Sequence, residues 1–215
     1  MARARASRSW RAAETHLARV DDRWRDRLDR IGPCKLEPMT DHFGTLVRSI
    51  ISQQISTQAA RTIEARLRAI TGDPCTAAQL LLLPADQLRS AGLSRAKAEY
   101  VQNLAEAVSS GRLCLASVAH RTDAELIEIL TEVKGIGRWT AEMFLIFSLN
   151  RPDVLPVGDL GVRAGIQAHF ELGKVPTPGE CHRLTEPWRP YRSVASWYLW
   201  RDADLRSGAV STSGK

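Results

Sequence analysis

Val133-Lys134-Gly135-Ile136-Gly137-Arg138-Trp139-Thr140-Ala141 reads as a tight turn joining two helices, and the fold follows from it. Upstream, residues 122–133 carry the signals of a helix. Thr122 can cap its start, Glu125 completes a capping box, and Leu126, Ile129, Leu130 and Val133 form one apolar stripe. Downstream, residues 138–149 read as a second helix, apolar on nearly every side. Two glycines around Ile136 predict an antiparallel turn in which positive φ and a close backbone approach are both allowed. The first N–H groups of the second helix have no intrahelical acceptor, so they form an anion site, which Lys134 and Arg138 flank with positive charge.

Outward from this hairpin the pattern stays helical. Residues 8–30 predict one amphipathic helix with Trp10, Leu17, Val20, Trp24 and Leu28 inside, stopped at Ile31-Gly32-Pro33. Further helices are expected at about 41–54, 56–71, 76–81, 84–91 and 94–110, punctuated by Gly72-Asp73-Pro74, Pro84, Gly92 and Gly111. No long alternating run argues for a sheet. The expected fold class is all-α, a two-lobed helical bundle with the helix-hairpin-helix and a cleft between lobes. One lobe would take about 1–40 plus 160–206 and the other about 41–159, within a single domain over 1–215, and 207–215 reads as a tail.

The bulk properties narrow the class. The chain has 215 residues, 44% hydrophobic and 25% charged, as in an ordinary globular protein. No apolar run nears the ~20 residues of a membrane span, and Met1 to Arg11 lacks the apolar core of a secretory signal. A bacterial-type cytoplasm or a nucleus is expected rather than export. Cys34, Cys75, Cys114 and Cys181 are widely spaced, which excludes an iron–sulfur cluster, a zinc ribbon or a dense disulfide framework. A net charge of +6 permits a polyanionic partner.

The string at 133–141 resembles the helix-hairpin-helix of the DNA glycosylase superfamily. That resemblance implies a grip on one strand of double-stranded DNA by Lys134, Gly135, Gly137, Arg138 and Thr140. It also implies a structural Na+ or K+ on the carbonyls of Thr131, Val133 and Ile136, with no cofactor otherwise required. Where the family often has proline, this chain has Lys134.

Past the hairpin lies Leu155-Pro156-Val157-Gly158-Asp159-Leu160-Gly161-Val162-Arg163. Asp159 precedes a helical stretch and reads first as its N-cap. The resemblance makes it the catalytic aspartate as well, since cleaving an N-glycosidic bond builds oxocarbenium character at C1′ that an anion stabilises, or attacks through activated water. Bifunctional members of the superfamily carry a lysine nucleophile two residues after the second hairpin glycine. Trp139 stands there, so base removal without strand cleavage is expected.

The hairpin string together with Trp188-Arg189-Pro190-Tyr191 and Ser196-Trp197-Tyr198-Leu199-Trp200 resembles the 3-methyladenine DNA glycosylase II family, over roughly residues 40–202. The implied substrate is an alkylated purine, of the 3-methyladenine or 7-methylguanine type, whose positive charge suits stacking on aromatic rings. Trp139, Trp200, Met143 and Gln53 would line the base pocket, with Met143 replacing a further aromatic. Gln54 would be the wedge that fills the gap left by the extruded nucleotide. Ser94, Arg95 and Lys97 are expected on the DNA backbone, and a monomer is expected. The other tryptophans read as core. Two other readings stay open: a same-fold glycosylase for ethenoadenine or deaminated bases, and a helix-hairpin-helix protein that binds DNA without cleaving it.

Overall fold

The computed structural model describes residues 2–206, with side chains from Trp10 onward; the tail expected at 207–215 lies outside the described residues. Among these residues regular structure is entirely helical. The helices are α1 (Ala2–Val20), α2 (Arg23–Ile31), α3 (His42–Ser52), α4 (Thr57–Thr71), α5 (Ala77–Leu82), α6 (Ala85–Ser90), α7 (Arg95–Ser109), α8 (Asp123–Thr131), α9 (Arg138–Phe147), α10 (Leu160–His169), α11 (Pro178–Leu184) and α12 (Arg192–Arg206), with short 3-10 turns at Leu115–His120 and Glu186–Trp188. The chain divides into two compact units, one made of residues 38–149 and the other of 1–37 with 150–215.

The 38–149 unit holds α3 to α9. Its helix starts are set by local chemistry: Asp41 caps α3 through the Gly44 amide, Ser56 caps α4, Ser94 caps α7, and capping boxes open α5 at Thr76 and α8 at Thr122. Leu46, Ile50 and Ile51 of α3, Leu104 of α7, Leu126 and Leu130 of α8, and Phe144 of α9 are buried together as its core. α9 is covered from Thr140 to Ile146 without a break, as its all-round apolar sequence requires. Truncating one of these aliphatic side chains to alanine costs roughly 2–5 kcal/mol.

The second unit packs α1, α2, α10, α11 and α12 around an aromatic centre. Trp24 stands edge-on to Trp188 and Tyr198, and Phe170 stacks on Trp188. Trp10, Trp24 and Trp188 are buried, as expected; Trp197 is half-buried against Tyr198 and Arg201. The single helix expected over 8–30 is two helices. Asp21 breaks it, because its carboxylate turns to the amide and guanidinium of Arg23 and to His169. Arg27 rather than Leu28 then reaches the core, where Asp202 neutralises it.

The boundary also differs from the expected one. Residues 150–159 join the second unit, because they are strapped to the start of α12. Arg192 binds Asp153 through Nε at 2.7 Å and Nη2 at 3.0 Å, and Ser193 brackets Val154, accepting from its amide at 2.9 Å and donating to its carbonyl at 3.3 Å.

Candidate active site and nucleic-acid interface

Asp159 is the N-cap of α10. Its Oδ1 accepts from the Val162 amide at 2.8 Å and from the Trp200 indole Nε1 at 3.0 Å. The strap at 153–154 fixes the chain entering the loop, and the Asp159 amide donates to the Pro156 carbonyl at 2.9 Å. The exit is fixed by helix packing. At Gly165 an added Cβ would lie 2.8 Å from the Cβ of Leu199, so α10 and α12 approach closely there, one residue before Trp200. The carboxylate therefore faces the positive end of the α10 dipole with its orientation set from two sides. Trp200, expected as a pocket wall, is also the residue that holds the aspartate. On α10, Leu160 is 68% exposed, whereas Val162, Gly165, Ile166 and His169 are buried.

In the 38–149 unit the hairpin has the expected form, with one change. Gly135 takes a positive φ of 104°, whereas Gly137 is an ordinary extended N-cap at φ −89°. What approaches Gly135 is a side chain. A Cβ there would fall 2.2 Å from the Tyr100 ring, so Tyr100 of α7 fills the space that glycine leaves. Ile136 is buried, and its amide closes the turn onto the Val133 carbonyl at 2.9 Å. No side chain caps the N-terminus of α9. Lys134 is exposed and ion-paired to Glu99 at 2.5 Å. Hydrogen bonding to each other raises the Lys134 pKa and lowers that of Glu99. Arg138 is 69% exposed at its side chain, yet its Nε is bound at 2.9 Å to Glu142, which is 3% exposed.

Several expected contacts go elsewhere. Thr140 is only 1% exposed, so it faces the interior and not a DNA backbone. Its hydroxyl accepts from Gln53 Nε2 at 2.9 Å, and the same amide donates to the Gly135 carbonyl at 2.9 Å. Gln53 thus ties the end of α3 to the hairpin. Lys97 is turned inward: its ammonium donates to the carbonyls of Ile51 at 2.7 Å and Gln53 at 2.6 Å, where α3 leaves its last carbonyls unmatched. Burial lowers its pKa.

Gln54 is exposed and left-handed, at φ 57°, between these fixed points and the Ser56 cap. A non-glycine residue in that region costs on the order of 1 kcal/mol and persists only where its surroundings impose it. Ser94 caps α7, and Arg95 is exposed in its first turn. On α9, Trp139 is half-buried and Met143, one turn on, is buried. Thr131, Val133 and Ile136 lie in the hairpin; the Val133 carbonyl is already engaged by Ile136. No group of three or more His, Cys, Asp or Glu side chains suited to a metal occurs among the described residues. Tyr100, Glu99 and Asn103, which donates to the Lys134 carbonyl at 3.3 Å, were not singled out for the hairpin by sequence. Their one signal was a spacing of three to four residues along α7.

Comparison with known proteins agrees with this arrangement. "HhH-GPD superfamily base excision DNA repair protein" describes the family that matches residues 47–190. The chain is 37% identical over 199 residues to the fission yeast Schizosaccharomyces pombe protein named DNA-3-methyladenine glycosylase 1, covering 90% of this chain and 87% of that one. It resembles the solved structure of the S. pombe 3-methyladenine DNA glycosylase in complex with abasic DNA, with TM-score 0.81, 33% identity, and coverage of 95% and 100%. A DNA-3-methyladenine glycosidase structure from Bacillus halodurans is similar too, with TM-score 0.76, 35% identity and 91% coverage of both chains. With its hairpin, its capped aspartate and these relatives, the chain belongs to the 3-methyladenine glycosylase family of the HhH-GPD superfamily of base excision DNA repair proteins.

Proposed function

We propose that the protein hydrolyses the N-glycosidic bond of alkylated purines in double-stranded DNA, leaving an abasic site. The observation that carries this reading is the Asp159 carboxylate, held at a helix N-terminus by the Val162 amide and the Trp200 indole. As the bond to C1′ breaks, its electron pair passes to the purine and cancels the positive charge of the alkylated base. Asp159 stabilises the cationic sugar or takes the proton of the water that adds to C1′. Trp139 and Trp200 supply electron-rich rings, each worth ~0.5–2 kcal/mol against a cationic base. The uncapped N-terminus of α9, with Lys134 and Arg138 beside it, serves a phosphate.

The neutral carbonyls of Thr131, Val133 and Ile136 would hold a Na+ or K+ ion, since an engaged carbonyl keeps a second lone pair, and the ion would supply positive charge for a phosphate. Exchange of K+ for a bulky organic cation tests this by loss of DNA affinity. With Trp139 where a lysine nucleophile would stand, base loss proceeds without strand cleavage. The protein acts as a monomer, where the chromosome is, in a bacterial-type cytoplasm or a nucleus.

Release of 3-methyladenine by wild type and by Asp159→Asn is the test. The variant should bind duplex DNA normally and lose roughly 100-fold or more in rate. Full activity in Asp159→Asn removes the mechanism, and strand nicking with borohydride trapping removes the monofunctional assignment.

A further inference from the structure

One face of α7 carries three side chains that reach far along the chain. Lys97 holds the carbonyls of Ile51 and Gln53 at the end of α3. Tyr100, one turn on, lies against Gly135, and Asn103, a further turn on, donates to the Lys134 carbonyl. Residues three apart share a helix face, so a single rigid element touches both the Gln54 loop and the hairpin. Gln53 closes the circuit, its backbone held by Lys97 and its side chain bound to Gly135 and Thr140. Gln54 and Ile55 are exposed between this anchor and the Ser56 cap.

We propose that Lys97 is a positioning residue for base extrusion: it sets the left-handed Gln54 at a fixed distance from the hairpin, so that Gln54 enters the stack as the nucleotide leaves. The inference rests on the glycosylase reading above. A lysine meant for phosphate would keep its ammonium in solvent, whereas this one gives up hydration to bind two carbonyls at a helix end. Those carbonyls carry the negative end of the α3 dipole, which a cation matches better than a neutral donor. Without it, the Gln53 peptide is free to continue the helix, and the strained turn at Gln54 loses what imposes it.

The experiment compares wild type with Lys97→Met, which keeps the aliphatic stem and removes the donors. The substrates are duplex oligonucleotides carrying one 7-methylguanine, opposite either cytosine or an abasic site. Extrusion is easier where the lesion has no pairing partner, so a wedge matters less there. The single-turnover rate opposite cytosine should fall roughly tenfold, with a much smaller fall opposite the abasic site. Adding Lys97→Met to Gln54→Ala should cost little more than Gln54→Ala alone, because both act through one loop. Hydrogen exchange over residues 52–57 should rise, and the slope of log affinity against log salt should stay unchanged.

Equal losses on both duplexes, additivity with Gln54→Ala, or a salt slope shallower by about 1, which marks a lost phosphate contact, each overturns the proposal. If Lys97→Met does not fold, Gln53→Ala removes the other half of the brace and must give the same pattern. If wild type releases neither 7-methylguanine nor 3-methyladenine, the glycosylase reading fails separately. Exchange over residues 52–57 then decides, and an unchanged rate in Lys97→Met overturns the brace.

Discussion

The Trp200 indole donates to Asp159 Oδ1 at 3.0 Å, on the same oxygen that accepts from the Val162 amide. A tryptophan expected to recognise the base thus also aims the carboxylate. Trp200→Phe keeps an aromatic face and removes the donor. It should lower kcat roughly tenfold, the effect of losing one orienting hydrogen bond, with little change in KM for DNA. Steady-state kinetics on a cationic and a neutral lesion check this. A loss confined to KM would return Trp200 to base binding alone.

Gly135 is the hairpin position least able to change. Alanine there meets a φ of 104° and places Cβ 2.2 Å from the Tyr100 ring. Gly135→Ala should destabilise the protein by roughly 2–4 kcal/mol in urea unfolding. Combining it with Tyr100→Ala should recover only a small part of that loss, since the ring clash disappears while the Tyr100 Cβ, 2.4 Å from the added Cβ, and the backbone strain both remain. A full recovery would show that strain contributes nothing.

Lys134 is the hairpin cation most open to phosphate, but Glu99 holds it when DNA is absent. Lys134→Ala should make the salt slope of DNA binding shallower by about 1. Glu99→Gln should do the reverse of a loss, raising affinity about two- to fivefold by freeing the ammonium. Arg138→Ala is a less clean probe. It removes a partner of the buried Glu142, so thermal stability should fall along with affinity.

His169 sets a pH window for stability. Burial pushes its pKa from 6.5 down to about 4, against the opposing pull of Asp21. Arg27 faces its Nδ1 and Asp21 accepts at Nε2, which fixes the neutral ring with its proton on Nε2. Below pH 6.5 the unfolded chain takes up a proton that the folded chain refuses, so stability declines as pH falls from 6.5 towards 4 and is complete above 6.5. Burial alone would raise the Asp21 pKa, but hydrogen bonds from His169 and the Arg23 amide outweigh it and lower it. Asp21 therefore adds a further loss at more acid pH. Thermal melts of His169→Gln, which can keep both hydrogen bonds, should be flatter across the upper window; an equally steep decline would assign the effect to other groups.

The hairpin was legible because its signals are local. A capping box at Thr122, an apolar stripe and two glycines lie within about twenty residues, and each acts on its immediate neighbours. Asp159 was legible as a cap for the same reason. What sequence did not foresee was decided by distant partners. Lys97 reads as a surface cation until Ile51 and Gln53, some 45 residues earlier, present their carbonyls. Thr140 reads as a phosphate ligand until Gln53 covers it. The boundary near residue 150 depends on Asp153 finding Arg192, 39 residues on, a pairing without local periodicity. Gln54 was expected as a wedge from resemblance alone, and nothing in its chemistry announces the left-handed backbone found there.

The chain leaves one unit at Glu37 and returns to it at Asn150. That interruption orders assembly in time. Residues 38–149 are continuous and can condense as soon as they are made, whereas joining Arg27 to Asp202 closes a span of 175 residues. The hairpin and its brace therefore mature first. Asp159 gains its Trp200 partner only when α12 arrives, 41 residues further along the chain, so an immature chain has its hairpin before its carboxylate is aimed.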